Sequence, residues 1–210
     1  LILLLLYFIP MMPENSRASQ KVYVLNTLSQ NLSVIDLESG QVNADAATTG
    51  LYANDLKICD NKIFVVNSGI NEVQEIGLST LETTERYDMG NGTNPYFLEC
   101  INDQKLAVSL LFSGEVAILN LTSGEIRKIK VDVGPEGMFV LGDLLFVCNT
   151  NFISLGVFDQ GTVNVIDLNE NTVIETLNVG TNPQIIQSDS KGDLYVLATG
   201  NFSDIYSKLY

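Results

Sequence analysis

The sequence predicts an all-β chain, a β-propeller built of four-stranded antiparallel blades of about 40–45 residues each. Three landmarks recurring in step predict it. An apolar strand appears as "KVYVLN" at Lys21, "KIFVVN" at Lys62, "KLAVSL" at Lys105, "LLFVCN" at Leu144 and "DLYVLA" at Asp193, in steps of 41, 43, 39 and 49 residues. A second strand follows as "LSVIDL" at Leu32, "VQEIGL" at Val73, "VAILNL" at Val116 and "VNVIDL" at Val163. A glycine in the return keeps pace at Gly50, Gly92, Gly134 and Gly180, with Pro95 and Pro183 three residues after two of them. Chance apolar runs would not hold their mutual spacing over four copies.

The elements follow in chain order. The opening "LILLLLYFIPMM" is apolar, but shorter than the roughly 20 residues a bilayer span needs. It has the character of the apolar region of a secretory signal, and Ser16 and Ala18 suit cleavage before Ser19. Residues 1–18 are therefore expected to be a truncated signal peptide or hydrophobic N-terminal segment, and the remainder to work outside the cytoplasm. Blades are expected at about 21–47, 51–89, 95–133, 137–179 and 183–210. The first would lack its innermost strand and the last its outer ones. In the fullest copy the strands read as Gly137–Leu141, Leu144–Asn149, Thr162–Asp167 and Val173–Val179, rich in β-branched residues and bounded by turn formers. In "VNVIDL", Val163 and Val165 face one way while Ile166 and Leu168 face the other, so the sheet must be covered on both faces. Helical repeats would need a 3.6-residue apolar period, which is missing.

Composition narrows function. A net charge of −14 leaves no basic surface for nucleic acid or an anionic membrane. The chain has no histidine, which removes the commonest general base and every His-dependent triad. Cys59, Cys100 and Cys148 show no C-x-x-C spacing, sit in or beside apolar runs, and read as small core residues. No haem or EF-hand motif appears, and no cofactor or metal site is expected.

The stretch "VNVIDLNENTVIETLNVGTNPQII", with "VYVLN", "LSVIDLESG" and "IFVVNSG", resembles the YVTN-repeat β-propellers (YncE-like, surface-layer-type) over roughly Lys21 to Ala198. It departs where "LYAND" follows Gly50 without a proline and where "VGPEG" shifts the proline. Such propellers usually close with seven blades. The resemblance thus implies an incomplete part, four to five blades, of a larger ring, with a genuine five-bladed propeller as the alternative.

Loops joining second to third strands should share one rim with the loops leading into innermost strands, placing Asn26, Asn67, Asn94, Asn149 and Asn182 together. The loop "NTNFISLGVFDQGT" is longer than its counterpart "NSGINE" and adds Phe152 and Phe158. Propellers generally bind at this mouth. One reading is an amide-lined surface for a protein, peptide or polysaccharide of the cell envelope. The other is that Asn and Gly merely make turns. The alternative function is a propeller enzyme, lactonase- or lyase-like or quinone-dependent, with Asp55, Glu99 and Glu136 near the channel and further residues supplied by other blades.

Overall fold

The computed structural model describes residues 20–210, so the expected N-terminal segment at 1–18 lies outside the described residues. The described residues form five successive antiparallel sheets, with a two-stranded hairpin inserted in the fourth. The first holds β1 (Lys21–Asn26), β2 (Asn31–Asp36) and β3 (Val42–Thr48). The second holds β4 (Ala53–Cys59), β5 (Lys62–Asn67), β6 (Glu72–Gly77) and β7 (Thr83–Asp88). The third holds β8 (Pro95–Asn102), β9 (Lys105–Leu110), β10 (Glu115–Asn120) and β11 (Ile126–Lys130). In the fourth, β12 (Pro135–Leu141) and β13 (Leu144–Asn149) are followed by a small hairpin, β14 (Phe152–Ser154) and β15 (Val157–Phe158). The sheet then resumes with β16 (Thr162–Asp167) and β17 (Thr172–Asn178). The fifth holds β18 (Pro183–Ser188), β19 (Leu194–Ala198) and β20 (Lys208–Leu209).

Local chemistry sets the turns. Between third and fourth strands, Asp36, Asn120 and Asp167 each accept two backbone N–H groups from the residues two and three positions on. That side-chain bond mimics a backbone turn and reverses the chain at the same place in three blades.

Middle strands are buried on both faces, as a doubly apolar strand requires. Fourth strands are mostly exposed. The apolar residues accordingly divide into four cores, one at each junction between adjoining blades. Leu32 meets Ile63, Val65 and Ile76 across the first junction. Phe64 and Val66 meet Leu98, Leu106 and Val108 across the second. Val116 and Ile118 meet Met138, Leu145 and Val147 across the third. Val163 and Cys148 meet Ile186 and Val196 across the fourth. Val163 thus packs toward the fifth blade while Ile166 and Leu168 pack toward the third, the two-sided arrangement expected of "VNVIDL". The first strands β4, β8, β12 and β18 lie side by side and form the inner wall.

One expectation is corrected. Cys59 and Cys100 are not separate core residues. They form a disulfide between the inner strands β4 and β8, with Cα atoms 6.2 Å apart. Cys148 is a free, buried thiol, pushed up to about 12 by burial and then by the charge of Glu136.

Candidate recognition rim

The ladders decide which chain ends meet. Ala53 pairs with Asn67, Pro95 with Leu110, Pro135 with Asn149, and Pro183 with Ala198. Each first strand therefore starts where the second ends, and the predicted residues all belong to one end of the stack. Their surroundings differ. Asn67, Asn149 and Asn182 are buried, whereas Asn26 and Asn94 are half-buried. Asn67 accepts the Gly50 N–H at 2.9 Å and donates to Glu72 and Gln74 at 2.9 and 3.0 Å. A Cβ at Gly50 would collide with that same side chain, which is why the return carries glycine there. Asn149 donates to Val147, Thr162 and Asn164, and Asn182 to Thr199 and Gly200. Asn26 bonds Asn31 and Ser33 within its own sheet. Asn94 and Asn182 adopt the left-handed conformation at φ 49° and 58°, which Asn tolerates better than most residues. Three of the five amides thus hold blade ends together and do not face solvent.

At this end every blade exposes large apolar side chains, beside polar ones that include Asp88, Asp159 and Asp204. The loop after the second strand carries Leu28 in the first blade (86% exposed), Ile70 in the second and Phe112 in the third (73%). In the fourth it is the hairpin, with Phe152, Ile153 and Val157 exposed and Leu155 96% exposed at the tip. In the fifth it is Phe202, Ile205 and Tyr206. Phe152 and Phe158 are cross-strand partners, their ring centroids 5.6 Å apart and edge-on. Asn151, a residue that sequence reasoning passed over, closes the hairpin base. Its carbonyl accepts the Asp159 N–H at 2.9 Å, its side chain donates to the Gln160 carbonyl at 2.7 Å, and its Oδ1 accepts the Val133 N–H at 3.2 Å. At the tip, Gly156 faces the backbone carbonyl of Asn201, so hairpin and fifth-blade loop adjoin. The turns of the opposite end carry Asp60, Asp103, Asp143 and Asp189 between first and second strands, and Glu38 and Glu170 between third and fourth, with exposed Leu37, Leu141 and Lys191 among them.

Inside the rim, every first strand is irregular just after its start. Register shifts fall between Ala53 and Asp55, Pro95 and Leu98, Pro135 and Met138, and Pro183 and Ile185. Such bulges re-aim side chains. The residues that follow Ala53, Pro95, Pro135 and Pro183 are Asn54, Tyr96, Glu136 and Gln184. Asn54 donates to Ser68, which donates to the Pro95 carbonyl, linking two blades. Glu136 is 8% exposed and is pushed up to about 8 by burial, which outweighs the hydrogen bond from Gln184. Tyr96 is raised by burial and then by the nearby Glu136 charge.

The three carboxylates considered for catalysis do not converge. Asp55 accepts the Leu98 and Leu56 N–H groups at 3.0 and 2.9 Å, tying two inner strands, and burial pushes it up to about 6. Glu99 pairs with Lys57 at 2.8 Å. Among the described residues no three His, Cys, Asp or Glu side chains form a metal-holding group. An open cleft of about 420 Å³ lies against the outer strand β7 and the 121–124 turn, away from the rim.

No family model and no curated protein matches the chain. Solved structures do. Hydrazine synthase of Kuenenia stuttgartiensis superposes with a TM-score of 0.75 at 14% identity, over 84% of this chain and 52% of that one. The WD40 β-propeller domain of Doa1 gives 0.69 at 12% identity, over 90% and 60%. The fold is a β-propeller. Virginiamycin B lyase from Staphylococcus aureus gives 0.65 at 13% identity, over 92% of this propeller chain and 67% of the lyase. This propeller chain spans about half to two-thirds of those structures, at 52–67% of their lengths. At such identities the likeness carries the fold and no activity.

Proposed function

We propose that the chain is a recognition scaffold that engages a protein partner through its apolar rim, and that it works outside the cytoplasm. The observation that carries the reading is the repetition of exposed large apolar side chains in the loop after the second strand of each of the five described blades. Isolated exposed apolar residues need no explanation, but a set gathered on one face marks an interaction surface. A protein suits this surface better than a polysaccharide, because three of the five rim asparagines have no amide facing outward. The charge of −14 speaks against nucleic acid. The signal-like start supports secretion, as does the Cys59–Cys100 pairing, since disulfides persist in oxidising compartments. Kinship with the YVTN-repeat propellers is part of the proposal and rests on the strand motifs and their spacing.

The test is selection of binding peptides from a random display library on the intact chain. Binding is then measured on a variant whose residues 152–158 are replaced by a short Gly-Ser turn. Affinity is expected to fall at least about tenfold, equivalent to about 1.4 kcal/mol. Selected peptides that bind both forms equally would remove the hairpin, and with it the rim, from the reading.

A further inference from the structure

We propose that Asn91 is an acceptor for an N-linked glycan, taken from a lipid-pyrophosphate-linked oligosaccharide as the chain enters a secretory compartment. That the chain meets such a donor rests on the secretion reading above; the fitness of Asn91 as acceptor rests on its own surroundings.

The sequence holds four Asn-x-Ser/Thr stretches, beginning at Asn31, Asn91, Asn120 and Asn201. An acceptor needs such a triplet, but triplets also arise by chance, so the fold has to discriminate among them. Asn31, Asn120 and Asn201 are half-buried and already engaged. Asn31 lies within β2, donates its amide to Asp45 at 3.2 Å and accepts the Asn26 amide at 2.9 Å. Asn201 donates to Asp204 at 2.8 Å and accepts the Ser203 and Ile205 N–H groups. Asn120 accepts the Thr122 and Ser123 N–H groups and so reverses the chain between β10 and β11.

Asn91 differs. It is exposed, and its side chain makes no hydrogen bond among the described residues. It stands in the 90–93 turn of the return from β7 to β8, where the Thr93 N–H and hydroxyl both donate to the Gly90 carbonyl, at 3.4 and 2.8 Å. Gly90 and Gly92 hold φ at 95° and 74°, which glycine adopts at no steric cost. A Cβ at Gly92 would meet no atom within 4 Å, so the tip faces open space. The base of the turn is fixed. Asn71 Oδ1 accepts the Asn94 N–H at 3.0 Å, and the Thr93 carbonyl accepts the Phe112 N–H at 3.1 Å. A free amide thus ends an anchored stem, with room for a bulky, well-hydrated substituent. The turn adjoins the loops that carry Ile70 and Phe112, so the glycan borders the rim at the second and third blades and not at the fourth-blade hairpin.

Thr93 is buried once the turn has closed, so transfer takes place on the entering chain and the fold accommodates the product. In that step Nδ2 of Asn91 bonds the anomeric carbon of the sugar and gives up one proton. The C–O bond to the lipid pyrophosphate breaks, and its electron pair leaves with the pyrophosphate.

For the test, the full chain is placed behind a cleavable secretory signal and synthesised cell-free with endoplasmic-reticulum membranes, which supply donor and transferase. Product sheltered from added protease is released, and the fraction that withstands brief trypsin treatment is kept. Peptide-N-glycosidase in heavy-oxygen water then marks each formerly glycosylated Asn as labelled Asp for mass spectrometry. Label at residue 91 is expected, lost in Asn91→Gln and Thr93→Ala and kept in Thr93→Ser. Sheltered, trypsin-resistant chain without label at 91, more label at 31, 120 or 201 than at 91, or label that survives Thr93→Ala would each overturn the assignment. Because the signal is supplied, none of these results bears on where the chain works. That reading is tested separately, by whether Cys59 and Cys100 are found paired in the native protein.

Discussion

Asn67 spends its whole amide on the Gly50 N–H of the return from the first blade and on Glu72 and Gln74 of its own. Asn67→Ala strands a buried N–H and the Gln74 carbonyl oxygen, and is expected to lower stability by about 2–3 kcal/mol in urea unfolding. Glu136 gives the opposite kind of signature. Its folded pKa of about 8 stands above the ordinary 4.5, so the folded chain retains a proton that the unfolded chain has lost. Stability from this group is therefore full at acid pH and falls as pH climbs from about 4.5 to 8. Glu136→Gln should remove that slope, gaining about 2–4 kcal/mol over the wild type at pH 9 and almost nothing at pH 4. Asp55 slopes in the same sense at lower pH, since burial pushes it up to about 6, and would persist in the variant. The rim asparagines were legible as a set because they recur with the repeat. Their burial was not, since it depends on the neighbouring return loop and not on the strand that carries them. Tyr96 and Gln184 escaped notice because residues that differ in type from blade to blade form no motif. Only their shared place after the strand start could have found them.

Among the elements, the insertion between β13 and β16 was readable from its length and its Phe content. That it folds into its own hairpin was not, because "FIS" and "VF" are too short for a strand signal. The disulfide was missed for a related reason. Cys59 and Cys100 lie 41 residues apart, one repeat, which places them on neighbouring inner strands once the blade is known. Without it they are two apolar-flanked cysteines. Closing a loop of that length restrains the unfolded chain, so Cys59→Ser with Cys100→Ser should lower stability by about 3–4 kcal/mol, and reduction of the wild type should do the same. Mass spectrometry of the native protein after thiol alkylation checks the bond directly. Free thiols at both positions would show that it does not form and would withdraw one support for secretion.

For the molecule as a whole, the propeller was visible in the sequence because its repeat is physical. Strands apolar on both faces need a sheet on either side, and a 40-residue period supplies one each time. Which end of the stack would bind was argued from loop topology, and the structure adds that each described blade exposes a large apolar side chain in the loop after its second strand. That repetition runs over the loops of five blades, and no single loop displays it.

Because the four cores lie between blades and none lies beneath a loop, the stack is indifferent to how far a connection strays before returning. A four-residue link, 68–71, and a twelve-residue one, 150–161, each leave a second strand and return as the third strand paired with it. Lengthening a connection adds only a small entropy of closure. The scaffold can therefore try out new projections one blade at a time, with the risk confined to the projection itself.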